Sequence, residues 1–166
     1  MKNTMKIMMA STLVMSALAT GCQTTTSVTK PAVQPITVET LEANNWRLID
    51  AKLNNGDLVE ALFFDPSRPL TLDFMTVEGR NMVSLMNTCN NMSAGYSVTN
   101  GEVELSAIRS TRMACPEHLA QFDSAAATTV QGKYSFGKNS DNNPVLVIKN
   151  DNQTAHFKAV PKTKTP

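Results

Sequence analysis

The chain has 166 residues, a formal net charge of +1 and three cysteines. This length is enough for one hydrophobic core, and scattered charges near balance argue against an electrostatic nucleic-acid binder. An odd number of cysteines leaves one of them without an intramolecular disulfide partner.

Residues 1–21 have the order of segments found in a secretory signal peptide. Lys2 and Lys6 precede an apolar run over residues 7–19, which is too short to span a bilayer. The run ends in the letters LATGC, which resemble the lipobox of bacterial lipoproteins, where the cysteine receives a diacylglycerol and becomes the amino terminus. The alternative is an ordinary signal peptide with an incidental cysteine. We expect Cys22 to be the lipidation site.

The predicted anchor at Cys22 sets the expected location. Several acyl chains, palmitate among them, hold a protein stably on a membrane, whereas a single chain binds only marginally. In Gram-negative lipoproteins an Asp after the cysteine favours retention in the inner membrane, and Gln23 stands here instead. We therefore expect the inner leaflet of the outer membrane, facing the periplasm, with the membrane itself as a partner.

Composition divides the rest of the chain into three parts. Residues 22–38 are rich in Thr and Pro and have no hydrophobic period, which is typical of an extended tether. Residues 39–160 have the apolar patterning of a folded domain, and residues 161–166 have the composition of a flexible tail.

Most of the domain has the pattern of short strands separated by turn residues. The Asn-Gly pairs at 55–56 and 100–101 are strong hairpin signals. The predicted strands cover residues 46–52, 70–74, 80–86, 96–98, 103–105, 133–136, 145–149 and 154–159.

The predicted strand at 80–86 is apolar on both faces. Val83 and Leu85 lie on one face, and Met82 and Met86 lie on the other. Such a strand is either buried on both sides or exposes an apolar face that would take a ligand. The methionines of the domain are expected as adaptable core filling rather than as a binding surface: Met75, Met82, Met86, Met92 and Met113.

One segment has helical periodicity instead. Pro116 suits the first position of a helix, and Leu119, Phe122 and Ala126 then repeat at helical spacing. We predict one helix over about 116–130 that packs on an antiparallel sheet. The predicted fold class is α+β, mainly β, with a compact sheet or a small, partly open barrel packed by that helix.

The stretches NNWRLID, NTCNNMSAGYSVTNGEVEL and STRMACP resemble the META domain, the family of the heat-shock lipoprotein HslJ. Two positions depart from the family pattern: Thr88 stands where a Gly often precedes Cys-Asn, and Gln121 stands where an acidic residue is common. The residues that carry the resemblance are Trp46, Leu48, Cys89, Asn90, Gly95, Tyr96, Thr111, Met113, Ala114 and Cys115.

The resemblance implies a non-enzymatic envelope lipoprotein with a role in stress or antibiotic tolerance, and it implies no defined biochemical activity. META domains are also similar in fold to the small pilotins of type III secretion, which hold the lipid or peptide tail of a secretin in a hydrophobic cavity. The alternative function is therefore a pilotin-like chaperone that binds a lipid or an apolar peptide tail. The two-faced strand at 80–86 fits this alternative.

With Cys22 lipidated, Cys89 and Cys115 are the one possible intramolecular pair in an oxidising compartment. A bridge that closes a loop of about 25 residues stabilises a fold by about 3.5 kcal/mol in the chain-entropy account. It would tie the start of a hairpin to the start of the helix. Two buried free thiols remain the alternative, because the sequence does not fix the distance between their Cα atoms.

Candidates for catalysis are few. Cys115 and His118 are three residues apart, and a thiol beside a histidine and a helix N-terminus can form a thiolate. The disulfide is a competing use of Cys115, and no third orienting group stands at a suitable spacing. The cysteines and histidines also lack the spacing of a structural zinc site. We predict no enzymatic activity, no catalytic residue, no metal and no cofactor.

Three arginines form a candidate surface for an envelope protein or a lipid. Arg109 and Arg112 flank Thr111 ahead of the helix, and Arg80 opens a predicted strand. Surface arginines are more often only solvated. Trp46 is expected as a core anchor rather than a binding residue, and nothing in the sequence indicates an oligomeric state.

Overall fold

The computed structural model describes residues 35–139, 141 and 143–162. The predicted signal peptide and the predicted lipidation site Cys22 lie outside these residues. The elements in chain order are α1 (Val38–Glu42), β1 (Asn44–Leu53), a 3-10 turn (Glu60–Leu62), β2 (Thr71–Val77), β3 (Arg80–Met86), β4 (Met92–Thr99), β5 (Glu102–Leu105), β6 (Arg109–Ser110), α2 (Glu117–Thr129), β7 (Lys133–Lys138), β8 (Pro144–Lys149) and β9 (Gln153–Pro161).

The strands form one antiparallel sheet in the order β5-β4-β3-β2-β1-β9-β8-β7, and β6 pairs with β4. The first and last strands of the chain, β1 and β9, pair along most of their length. The sheet curls into a nearly closed barrel whose open edges are β5 and β7. The prediction of a mainly β fold with one main helix is confirmed.

The hairpin turns follow from residues that tolerate a positive φ. Asn100 and Gly101 have φ values of 54° and 82°, which suits the two-residue turn between β4 and β5. Glu78 and Gly79 form a second turn of this kind, with φ values of 51° and 74°. The hairpin predicted at Asn55-Gly56 is limited to one bridge, Lys52 to Leu58, because the chain then enters the 3-10 turn.

Aromatic rings meet across the interior of the barrel. Trp46 of β1 lies 5.3 Å from Phe136 of β7, centroid to centroid. Phe74 of β2 lies 5.2 Å from Tyr96 and 6.4 Å from Tyr134. These rings come from strands in different parts of the sheet and all face inward, so they fill the described interior. Trp46 is a core residue, as expected, with its Nε1 donating to Leu41 O at 2.9 Å.

The two ends of the barrel are covered by different helices. The predicted helix is α2, and its Phe122 and Ala126 are buried against the barrel. Phe64, just after the 3-10 turn, packs edge-on against Phe122 at 5.3 Å. At the opposite end α1 buries Leu41 completely. In the part of the chain that the structure describes, no helix is long and apolar enough to cross a membrane.

The domain includes residues from both predicted flanking segments. Ile36 is only 5% exposed, and Thr37 caps α1 through reciprocal hydrogen bonds with Thr40. The sequence did not predict α1, because five residues are too short to show a helical period. At the other end β9 runs to Pro161, and the Lys162 ammonium lies 2.6 Å from Asp73.

Candidate functional site

A disulfide joins Cys89 to Cys115, and their Cα atoms are 6.2 Å apart. Cys89 lies in the loop between β3 and β4, and Cys115 lies just before α2. The separation falls in the range that a disulfide requires. The bridge therefore links the barrel to the helix that covers its end.

Asp123 lies beside this bridge on the inward face of α2. Its carboxylate accepts hydrogen bonds from Cys89 N at 2.8 Å and from Asn90 N at 2.9 Å. The Asn90 side-chain amide donates a third bond at 2.9 Å. Asp123 is only 7% exposed, and these three donors replace the water that burial removes.

Asn90 connects the loop to the segment before the helix. Its Oδ1 accepts from Met113 N at 2.7 Å and from Thr111 Oγ1 at 3.1 Å. The backbone N–H of Thr111 donates to Asn91 O at 3.2 Å, and the Thr111 hydroxyl accepts from Asn91 N at 3.0 Å. We call Cys89, Asn90, Thr111, Cys115 and Asp123 the motif cluster. Its polar groups are used to hold three chain segments together.

Sequence reasoning missed Asp123, although a signal was present. Asp123 follows Leu119 by four positions and precedes Ala126 by three, so it falls on the predicted apolar stripe of the helix. A carboxylate on a face that must be buried needs several donors nearby. That requirement indicates that the Asp123 carboxylate accepts hydrogen bonds from residues packed against the helix.

Of the five methionines expected as core filling, Met92 is in the core and the other four are not. Met113 is 58% exposed, because its contribution to the motif cluster is its backbone N–H. Met86 is also exposed, whereas Met92 is in the core. Ala114 is exposed as well, so the Met-Ala pair of the motif points outward while its backbone is held.

The other motif residues lie within the barrel wall. Leu48 is buried, and the Tyr96 hydroxyl donates to Glu42 Oε1 at 3.1 Å. Burial and the negative charge of Glu42 both raise the pKa of Tyr96 above its ordinary value. Gly95 is the residue at which β4 stops pairing with β3, and the next residue begins the pairing with β5.

The structure does not form the thiolate and imidazole pair considered for catalysis. The sulfur of Cys115 is bonded to Cys89, and the His118 ring packs edge-on against Phe64 at 5.4 Å. Among the described residues, no three His, Cys, Asp or Glu side chains are grouped as a metal site requires.

The three candidate arginines separate into two places. Arg80 and Arg109 line the same surface groove, whose volume is about 140 Å³. Arg112 is exposed and does not line that groove.

The two-faced strand β3 is buried on one side only. Val83 and Leu85 point into the core, and Met82 lines the groove of Arg80 and Arg109 on the outer face. The apolar outer face is therefore a surface, and the interior that a pilotin-like chaperone would need is occupied by aromatic rings.

The family model of the META domain matches residues 39–162. The chain belongs to the META domain family. The match spans the barrel from α1 to the residue after β9, including both cysteines of the bridge. The motif cluster thus gives a physical role to residues that carried the resemblance in the sequence.

An NMR structure of a protein from Burkholderia xenovorans shares the fold of this META domain, with a TM-score of 0.62 at 21% identity, covering 82% of this chain and 94% of that one. A second NMR structure has a TM-score of 0.49 at 21% identity, covering 75% of this chain and 95% of that one. No curated protein matches the chain.

Proposed function

We propose that this META domain protein is a non-enzymatic lipoprotein of the bacterial cell envelope that supports tolerance of stress or antibiotics. The observation that carries the proposal is the motif cluster. Its disulfide, its buried carboxylate and its shared asparagine stabilise the fold and leave no reactive group free for chemistry.

The disulfide supports an extracytoplasmic location. Bridges of this kind persist in oxidising compartments such as the periplasm and are rare in the cytosol. The bridge uses Cys89 and Cys115, which leaves Cys22 as the one cysteine for the lipid. This division of three cysteines matches the signal-like sequence before Cys22.

A stress role fits a fold that resists opening. One end of the barrel is covered by α2, which the bridge ties to the β3–β4 loop, and the other end is covered by α1. Closing a loop of this length stabilises a domain by about 3.5 kcal/mol. This added free energy of unfolding favours the folded state when the envelope is heated, which supports a stress role.

Lipidation and membrane location are tested together in the intact cell. Metabolic labelling with an alkyne palmitate, followed by separation of inner and outer membranes, should show a labelled chain in the outer membrane. Cys22→Ala, exported with an ordinary cleavable signal, should lose the label and become soluble. Gln23→Asp is the matched control, since it should keep the label and move to the inner membrane. A labelled Cys22→Ala chain would contradict the anchor.

The stress role is tested by complementation. A deletion strain should grow poorly under heat or novobiocin, and the wild-type chain should restore growth. His118→Ala should restore growth equally, because the proposal gives the imidazole no chemical role. Loss of growth with a folded His118→Ala chain would overturn the non-enzymatic assignment. No growth defect in the deletion strain would overturn the stress role.

A further inference from the structure

The groove between Arg80 and Arg109 lies on the outer face of β3 and β4. Its floor contains Met82 and Gly95, which are cross-strand partners. Asn81, Ser93 and Ser106 supply the uncharged polar side chains of its lining.

Gly95 creates this depression. The residue lies between the β3 pairing and the β5 pairing of β4, and its N–H donates to Ser106 Oγ at 2.9 Å. A Cβ at this position would lie 3.3 Å from the same oxygen, closer than an ordinary contact. The glycine therefore brings Ser106 against the strand and leaves open space over Met82.

The groove carries positive charge without internal compensation. Within the described ranges, Arg80 and Arg109 form no ion pair, while the ion pairs present use Lys52, His156 and Lys162. Both arginines are exposed at the rim of the groove.

A hydroxyl donor accompanies the two cations. Ser93 is half-buried and lines the groove, and its hydroxyl makes no hydrogen bond to any residue that the structure describes. The two guanidinium groups present positive charge and N–H donors to a ligand, and the Ser93 hydroxyl can donate one further hydrogen bond. The Asn81 amide also lines the groove, and its Oδ1 is bonded to Thr76 Oγ1.

We propose that this groove binds the phosphate of an anionic phospholipid headgroup. The guanidinium fork matches phosphate oxygens in a bidentate geometry, and a serine hydroxyl can donate to a third oxygen. The apolar Met82 beside them suits the glycerol carbons of a headgroup better than it suits a fully hydrated ion.

One end of the groove lies near α1. Arg80 follows the β2–β3 turn, at the end of the barrel that α1 covers, whereas Arg109 pairs with Ser93 at the start of β4. Hydrogen bonds connect the Arg80 end to α1, because Glu42 of α1 accepts from Thr76 Oγ1, which also bonds Asn81 at 2.9 Å. Of the described helices and strands, α1 is the one nearest in sequence to Cys22. The identification of the ligand as a lipid headgroup therefore rests on the proposed anchoring, whereas the anion site itself does not.

The experiment uses the mature chain carrying Cys22→Ala, so its outcome does not depend on lipidation. Binding is measured by co-sedimentation with vesicles of phosphatidylethanolamine and phosphatidylglycerol, and with vesicles of phosphatidylethanolamine and phosphatidylcholine. Each arginine near an anionic surface accounts for about a fivefold gain in affinity. The double variant Arg80→Gln/Arg109→Gln should therefore bind the anionic vesicles about 25-fold more weakly.

The single variant Arg80→Gln should weaken binding about fivefold. Arg112→Gln is its matched control, because it removes one charge from an exposed arginine outside the groove. It should leave vesicle binding close to that of the parent chain. If it weakens binding as much as Arg80→Gln, the attraction is a general surface effect and the groove proposal is overturned.

A second arm separates a headgroup from free phosphate. Inorganic phosphate is titrated against chloride at equal ionic strength, and the amide signals of residues around the groove are followed by NMR. Vesicle binding that depends on both arginines supports the headgroup. If the amide signals shift saturably with phosphate but the chain does not bind vesicles, the anion site is supported and the lipid headgroup as its ligand is overturned. No response in either arm overturns the site.

Discussion

The carboxylate of Asp123 accepts two hydrogen bonds from Asn90, one from its backbone N–H and one from its side-chain amide, each at 2.9 Å. The two residues are 33 positions apart, so the contact fixes the β3–β4 loop onto α2. It lies directly beside the Cys89–Cys115 bridge, with Asn90 Nδ2 at 3.3 Å from Cys115 Sγ. A covalent link and a polar link thus hold the same junction.

Replacing Asp123 by Ala should destabilise the domain by about 3 kcal/mol, because the donors of Cys89 and Asn90 lose their acceptor in a buried site. Urea unfolding followed by the fluorescence of Trp46 measures the loss. Asp151→Ala is the control, since its carboxylate is exposed and accepts no described hydrogen bond. Equal stability of the Asp123 and Asp151 variants would show that the network contributes nothing.

Removing the bridge should cost about 3.5 kcal/mol for a loop of this length. The double variant Cys89→Ala/Cys115→Ala, with Cys22→Ala present in both chains compared, should unfold at lower urea. Reductant should lower the midpoint of the parent chain and leave that of the double variant unchanged. If the urea midpoint of the parent chain does not change when reductant is added, the cysteines are not bridged in solution.

The sequence predicted the barrel because local alternation determines its strands. In β2, Leu72 and Phe74 face the core while Thr71 and Asp73 face outward, and the Asn100-Gly101 pair specifies its own turn. These signals need only a few neighbouring residues.

The motif cluster could be predicted only in part, because its contacts join distant segments. The resemblance named Cys89 and Asn90, but their shared partner Asp123 lies in another element. The sequence grouped Arg80 and Arg109 as one candidate surface, but the groove that they share depends on the register of β3, β4 and β6. The same register excludes Arg112, which the sequence had grouped with them.

Alkaline pH should destabilise the domain through two tyrosines. Burial raises the pKa of Tyr134, and burial together with Glu42 raises the pKa of Tyr96. A pKa that is higher in the folded state favours the protonated folded form. This stabilisation is complete below the unfolded value of about 10 and is lost as the pH rises through the folded values.

Urea midpoints measured across this alkaline range test the linkage. The double variant Tyr96→Phe/Tyr134→Phe should start from a lower midpoint, because it loses the bonds to Glu42 and Val130. Its midpoint should then fall less steeply with pH than that of the parent. Parallel curves for the two chains would show that these tyrosines do not titrate with unfolding.

Adding one methyl group at Gly132 should be among the most damaging small changes in the domain. This glycine connects α2 to β7, and a Cβ there would lie 2.5 Å from Lys149 O and 2.8 Å from Lys149 C. Both atoms belong to the backbone of β8, which cannot move without breaking its pairing with β7. Gly132→Ala should therefore cost about 3 kcal/mol, the upper end for overpacking.

Gly137→Ala in β7 provides the matched comparison. The nearest atom to a Cβ at that position is Val147 Cγ2 at 3.8 Å, which is an ordinary contact. This variant should unfold at nearly the parent urea concentration, while Gly132→Ala shifts to a clearly lower one. If the two variants are equally stable, the close approach of residues 132 and 149 is relaxed in solution, and the α2–β7 junction is looser than the structure describes.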